Sequence, residues 1–231
     1  MSAPRGNKTL GYYSLSKQGI SILLWFNLTQ IVWLSVLFAV ANSTVELFHI
    51  VKHPLAAIKV FMLVIGLLNI VSTLQVAPTI ESFRKKSIEV QNVLKCGLIT
   101  FMGTIIYHAI AILFGAPVFE QMEETYYFSI LLSATTVLPS CCVLGASLSE
   151  WRRLYLELKP ENFLETNILI TTFSSLLGAW IGAFPIPLDW DRPWQTWPIT
   201  CVAGTVIGYL AGLLIATVRI GWKQTGKRKS V

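Results

Sequence analysis

The stretch PLAAIKVFMLVIGLLNIVSTLQV, Pro54 to Val76, runs 23 residues with a single charge, Lys59. A helix needs about 20 predominantly apolar residues to cross the ~30 Å hydrocarbon core of a bilayer, so this segment reads as a membrane span. Five more windows of the same kind follow the same rule, near 20–41, 94–116, 126–148, 164–186 and 198–218. Composition agrees: 54% of the 231 residues are hydrophobic and only 13% are charged, far from the balance of a soluble globule. The first window is too long and too aromatic for a cleaved signal, with Trp25, Phe26 and Trp33, and is expected to span. The fold predicted is an all-α membrane protein, one polytopic domain over 1–231 built as a bundle of six transmembrane helices.

Lys and Arg near helix ends mark the cytosolic side. The N-terminal segment carries Arg5, Lys8 and Lys17; the second loop Arg84, Lys85, Lys86 and Lys95; the fourth loop Arg152, Arg153 and Lys159. The basic tail, 219–231, adds Arg219, Lys223, Lys227, Arg228 and Lys229, whereas the opposite loops hold only Lys52 and Arg192. Both termini are therefore expected in the cytosol, with short acidic loops on the lumenal side. The net charge of +6 is a topology signal; no compact basic face with interleaved stacking aromatics points to nucleic acid.

The four cysteines, Cys96, Cys141, Cys142 and Cys201, fall in or beside the spans without metal-ligand spacing, and are read as packing residues. Cys96, near the interface, is also a candidate for palmitoylation. Polar groups inside spans are costly in lipid and should face the bundle or a partner. They are Asn27, Gln30, Asn69 and His108, the last read as a helix-to-helix hydrogen-bonding group with proton shuttling as the alternative. Lys59 should snorkel to the interface. Pro139 should kink the fourth helix, leaving a carbonyl for Thr135 or Thr136.

Glycines four apart let backbones approach closely where lipid offers no hydrophobic drive for association. Gly178 and Gly182 form one such step in the fifth span; Gly204, Gly208 and Gly212 form two in the sixth. Either these helices pack on each other or they receive a helix from another protein. Between them lies PIPLDWDRPWQTWP, Pro185 to Pro198. If it turns helically after Asp191, Trp190, Trp194 and Trp197 share a face at the headgroup level. Asp191 would cap the turn with Pro193 in its first turn, and Arg192 is placed to pair with Asp189 or Asp191. The sharper reading takes Asp189 and Asp191 as a D-x-D metal site of a membrane-embedded transferase. Arg192 competes for those carboxylates, and such a site would want further ligands and a nucleophile in reach.

The blocks GAWIGAFPIPLDWDRPWQTWPITC (Gly178 to Cys201) and GTVIGYLAG (Gly204 to Gly212) resemble the signature of the Pig-F family. HAIAILFGAP (His108 to Pro117) and ATTVLPSCCVLGASLSEW (Ala134 to Trp151) resemble it in the same order. The likeness covers roughly the C-terminal three-fifths of the chain; residues before about 95 match in hydropathy only.

That resemblance implies a non-catalytic stabilising subunit of endoplasmic-reticulum ethanolamine-phosphate transferases, without a cofactor of its own. The implied partners are large multi-pass enzymes of class O and class G type, which move phosphoethanolamine from phosphatidylethanolamine to a mannose of the glycosylphosphatidylinositol (GPI) precursor. The tail KRKSV places Lys227 and Lys229 where a K-x-K-x-x retrieval signal needs them. The sequon at Asn42 abuts the membrane, and that at Asn7 lies on the cytosolic side. Two other classes remain open, the Asp189/Asp191 transferase and a small lipid transporter, which would line a cavity with His108, Asn27 or Asn69.

Overall fold

The computed structural model describes residues 17–42, 50–76 and 90–229. Every helix and turn among them belongs to one bundle: α1 (Lys17–Ala41), α2 (Pro54–Val76), α3 (Val90–Leu113), α4 (Met122–Thr135), α5 (Val137–Leu144), α6 (Leu148–Tyr155), α7 (Phe163–Ala183) and α8 (Ile199–Lys229). Six stretches are long and apolar enough to cross a membrane, with α4 and α5 together forming the fourth. The Asn7 sequon, Glu46, His49 and the basic run Arg84 to Lys86 lie outside the described residues.

The α4–α5 span is central: 72% of its apolar window is buried, against 17% for α3. Its inward groups are small and polar, including Ser129, Ser133, Thr135 and Ser140, while Trp25, Leu63, Leu98 and Phe101 point outward from other helices. This inverts the soluble pattern because lipid tails are as apolar as leucine, so close packing and hydrogen bonds, not burial of large side chains, select the interior. A second contribution is apolar, from Leu34, Ile58, Phe61, Ile65 and Leu131.

Several helix ends differ from the expected ones, the fifth span among them, which ends at Ala183 and not 186. The third span stops at Leu113, not 116, because Gly115 takes φ 99° and closes a Schellman motif. The Ala116 amide donates to the Ala111 carbonyl and the Gly115 amide to Ile112, both at 3.0 Å. The fourth span is shifted with it, to 122–144 instead of 126–148. At the C-terminus the helix does not end near 218 but continues to Lys229, since the polar residues of the tail are good helix formers. Lys227 and Lys229 close that helix; their side chains, and residues 230–231, lie outside the described ones.

Pro139 breaks the fourth span one turn upstream, at Thr136 with φ −120° and ψ −63°. The hydroxyls of Thr135 and Thr136 donate to the Leu132 carbonyl at 3.0 and 2.7 Å, and that of Ser140 to the Thr136 carbonyl at 2.6 Å. These hydroxyls fall on Leu132, which also takes the Thr136 amide at 3.1 Å, and on Thr136, not on the Thr135 carbonyl that Pro139 deprives of its i+4 amide.

Candidate functional site

The five glycines lie in one seam between α7 and α8. A methyl group added at Gly178 would overlap the Gly204 carbonyl oxygen, and one added at Gly204 would overlap that of Gly178. Gly208 meets the Ser174 carbonyl in the same way, Gly182 meets that of Thr200, and at Gly212 the Thr171 Cα would stand 2.9 Å away. The two backbones are thus in contact along five positions of the chain itself. The groove that the glycines open in one helix is filled by the other.

At the acidic end the seam is closed by the corner Pro185 to Pro198. Its organising side chain is Gln195, whose carboxamide nitrogen donates to the carbonyls of Pro185 (2.7 Å) and Leu188 (2.6 Å) while its oxygen accepts from the Arg192 amide (2.9 Å). The helical turn is a three-residue 3₁₀ segment, Pro193–Gln195, preceded by Arg192. Asp191 is not its cap: it occupies the left-handed region at φ 47°, where aspartate is among the better tolerated residues. Arg192 forms no ion pair with Asp189 or Asp191, and all three side chains are exposed.

The tryptophans do not share a face. Trp190 and Trp194 stack edge-on at 5.8 Å, with Trp190 outward. Trp197 turns inward, donates from its indole to Thr125 Oγ1 (2.9 Å) and sits edge-on to Phe128 at 5.5 Å, fastening the corner to α4. The 3₁₀ turn is too short to carry the helical phase from Trp190 to Trp197, and α8 follows at once from Ile199.

The basic end holds a cluster that sequence reasoning passed over. Arg153 of α6 forks onto Glu165 of α7 with contacts of 2.9 and 3.1 Å, and also reaches Glu150 at 2.6 Å and the Lys159 carbonyl at 2.6 Å. Glu165, 5% exposed, accepts as well from the Glu161 amide and the Asn162 side chain. Asn162 in return accepts from the Glu165 amide at 2.8 Å, capping α7. The Glu165 hydrogen bonds, then those of Glu150, raise the Arg153 pKa further above its ordinary value. The guanidinium is therefore charged at any physiological pH. The signal that could have found this end is Asn-x-x-Glu before an apolar run, a capping-box spacing.

The span-borne polar residues pair with one another. Asn27 donates to Asn167 Oδ1 (2.8 Å) and Thr217 Oγ1 (3.1 Å), tying α1 to α7 and α8. The Tyr209 hydroxyl lies 2.8 Å from both Asn69 Oδ1 and Gln30 Oε1. A phenol has one proton, so it serves one of these two amide oxygens at a time; Asn69 is held toward it by its own donation to the Ala134 carbonyl (3.1 Å). Lys59 does not merely snorkel: it pairs with Glu123 at 3.2 Å over the face of Tyr127. His108 makes no interhelical hydrogen bond through Nδ1 among the described residues and packs edge-on to Tyr126. Cys96 donates weakly to the Cys141 carbonyl, and all four thiols are free.

The arrangement joins helices and presents a rigid corner. Among the described residues no group of three or more His, Cys, Asp and Glu is placed to hold a metal ion; Glu46 and His49 lie outside those residues. His108, Asn27 and Asn69 are not brought to one place: each is tied to a different helix contact.

The chain is 37% identical over 206 residues to a Mus musculus protein named GPI ethanolamine phosphate transferase, stabilizing subunit, covering 89% of this chain and 94% of that one. A Homo sapiens protein of the same name is 43% identical over 157 residues, 68% of this chain and 72% of its own. A Schizosaccharomyces pombe PIGF/3-ketodihydrosphingosine reductase fusion protein is 38% identical over half of this chain, 51%, and 23% of its own length. No solved structure matches. The sequence pattern of the GPI biosynthesis protein family Pig-F matches residues 13–217, beginning well upstream of His108, where the first of the resembling blocks starts. With the match reaching into all six membrane-length helices, the chain belongs to the Pig-F family.

Proposed function

We propose that this chain is a non-catalytic stabilising subunit of endoplasmic-reticulum ethanolamine-phosphate transferase complexes, of class O and class G type. Those enzymes add phosphoethanolamine from phosphatidylethanolamine to mannose of the GPI-anchor precursor. The observation that carries the reading is the near full-length likeness to a relative named as the stabilising subunit of such a transferase. The geometry agrees with it, since the polar residues are spent on helix contacts and the link between α7 and α8 is a short, internally bonded corner. Such a chain acts by binding the native partner and withdrawing it from unfolding, a mass-action effect that needs no chemistry of its own.

In this reading the basic end faces the cytosol with both termini, and the acidic end faces the lumen. Asp189, Trp190, Asp191, Arg192, Pro193 and Trp194 are the exposed or half-exposed surface offered to the partner and to headgroups, while Trp197 braces it from beneath. Lys227 and Lys229 provide endoplasmic-reticulum retrieval. The test is to purify the tagged chain from mildly solubilised membranes and, in parallel, to measure transferase abundance after its deletion. Recovery of a large transferase that falls on deletion is the expected result; a chain that purifies alone while transferase levels persist would sink the reading.

A further inference from the structure

A groove of about 590 Å³ lies on the outer side of α7 at its basic end, lined by Leu158, Pro160, Leu169, Ile170, Phe173 and Arg219. Its α7 residues run from Thr166 to Ser174 on a membrane-length helix, so at 1.5 Å per residue it extends about 12 Å along the helix away from the basic end. The volume is within the range of small-ligand sites, roughly 300–1,000 Å³. The walls are apolar apart from two small hydroxyl residues and one guanidinium.

Charge decides what fits. Every carboxylate described near this end is already engaged: Glu150 and Glu165 with Arg153, Glu161 with Arg153, and Glu157 with Arg152 and Lys159. Arg219 has no acidic partner among the described residues. The sequence adds Lys223 and Lys227 four and eight positions further along α8. An apolar slot open to lipid, with an unclaimed guanidinium at its headgroup end and basic residues beyond, complements a phosphate carrying an acyl chain. Leu158 completes the rim in a left-handed conformation, φ 54°, uncommon for a bulky residue.

We propose that this groove seats one anionic phospholipid of the surrounding leaflet, its phosphate on Arg219 and an acyl chain along Leu169, Ile170 and Phe173. The site is separate from the acidic-end corner and does not depend on which enzyme the chain stabilises. Arg suits the role because its fork meets two phosphate oxygens at once.

The test uses the full chain in phosphatidylcholine nanodiscs doped with a phosphatidylserine carrying a photoreactive acyl chain, compared with a phosphatidylcholine bearing the same chain. The phosphatidylserine probe is expected to label the α7 segment from Thr166 to Ser174 in preference to the choline probe. Arg219→Gln should lower that labelling about tenfold, the loss of one charge-assisted contact. Arg219→Lys should keep most of it, and Arg152→Gln, which removes a charge paired with Glu157, should leave it unchanged. Equal labelling by both probes in the wild type would overturn the proposal without any variant. So would unchanged labelling in Arg219→Gln, or cross-links in a purified transferase complex that join this segment to a partner helix in place of lipid.

Discussion

The two ends of the α7–α8 hairpin are closed by opposite means. At the acidic end, where the sequence is dense with charge and tryptophan, the corner is held by neutral groups: Gln195 on three backbone atoms and Trp197 on Thr125. At the basic end, where the sequence looks like an ordinary polar loop, α6 is latched to α7 by a nearly buried Arg153–Glu165 fork. The difference teaches that local charge density is a poor guide to where charge is structural. Asp189, Asp191 and Arg192 are exposed in water or headgroups, where ions gain little from pairing; Glu165 is enclosed, where an unpaired ion is not tolerated.

The largest expected effect follows from that enclosure. Arg153→Ala would leave Glu165 buried and unpaired, and the cost of breaking a buried pair is about 3–5 kcal/mol. The measurement is thermal unfolding of the purified chain in detergent, with Arg153→Ala/Glu165→Gln alongside it. The double variant should regain part of the loss, because no orphaned charge remains. An Arg153→Ala chain that melts with the wild type would erase the contrast between the two ends.

Between the ends, the seam gives the next effect. Gly178→Ala places a methyl against the Gly204 carbonyl, and no flexible side chain is there to yield. Overpacking of this kind costs about 1–3 kcal/mol, and Gly208→Leu should cost more. Since both glycines are in contact within the chain, partner co-purification should fall only in step with unfolding. A Gly208→Leu chain that stays folded yet loses its partner would show that the seam also receives a foreign helix.

What the sequence disclosed, and what it withheld, divides along physical lines. The spans are legible because crossing hydrocarbon demands length and apolarity, both of which are local properties. Their ends are less so: Leu113, Phe114, Ala116 and Pro117 are as apolar as the helix before them, and only Gly115 marks the stop through its backbone conformation. The glycine spacing announces close approach but not its object, which depends on where α7 and α8 lie relative to each other. The pairing of Arg153 with Glu165 joins residues twelve apart across a turn, a separation that periodicity does not report. Trp197 joins Trp190 and Trp194 on one face only if a helix runs on from Asp191, and three residues of 3₁₀ stand there instead.

At the acidic end the counterpart of Arg153 is Gln195. Gln195→Ala removes the donor to Pro185 and Leu188 and the acceptor for Arg192, yet those backbone groups lie near the surface, where water replaces what is lost. The net cost should be about 1 kcal/mol, the usual worth of such bonds, read in the same unfolding assay. A loss as large as that of Arg153→Ala would mean that the corner is structurally the equal of the latch.

The smallest effects belong to the residues that attract the eye first. Asp191→Asn keeps a side chain that tolerates φ 47° and loses only an exposed charge, and Arg192→Ala breaks no ion pair with either aspartate. Both should lie within about 0.5 kcal/mol of the wild type. The informative readout is therefore the activity of the recovered transferase complex per unit of complex. If Asp189 and Asp191 held a catalytic metal, Asp191→Asn would abolish that activity with abundance and assembly intact. The expected outcome is unchanged specific activity, because two exposed carboxylates, with no third His, Cys, Asp or Glu grouped with them among the described residues, hold a divalent ion weakly. The corner's charges are then left one role, complementarity to whatever docks on them. In that case Asp191→Asn and Arg192→Ala should act on the amount of transferase recovered with the chain, not on its turnover.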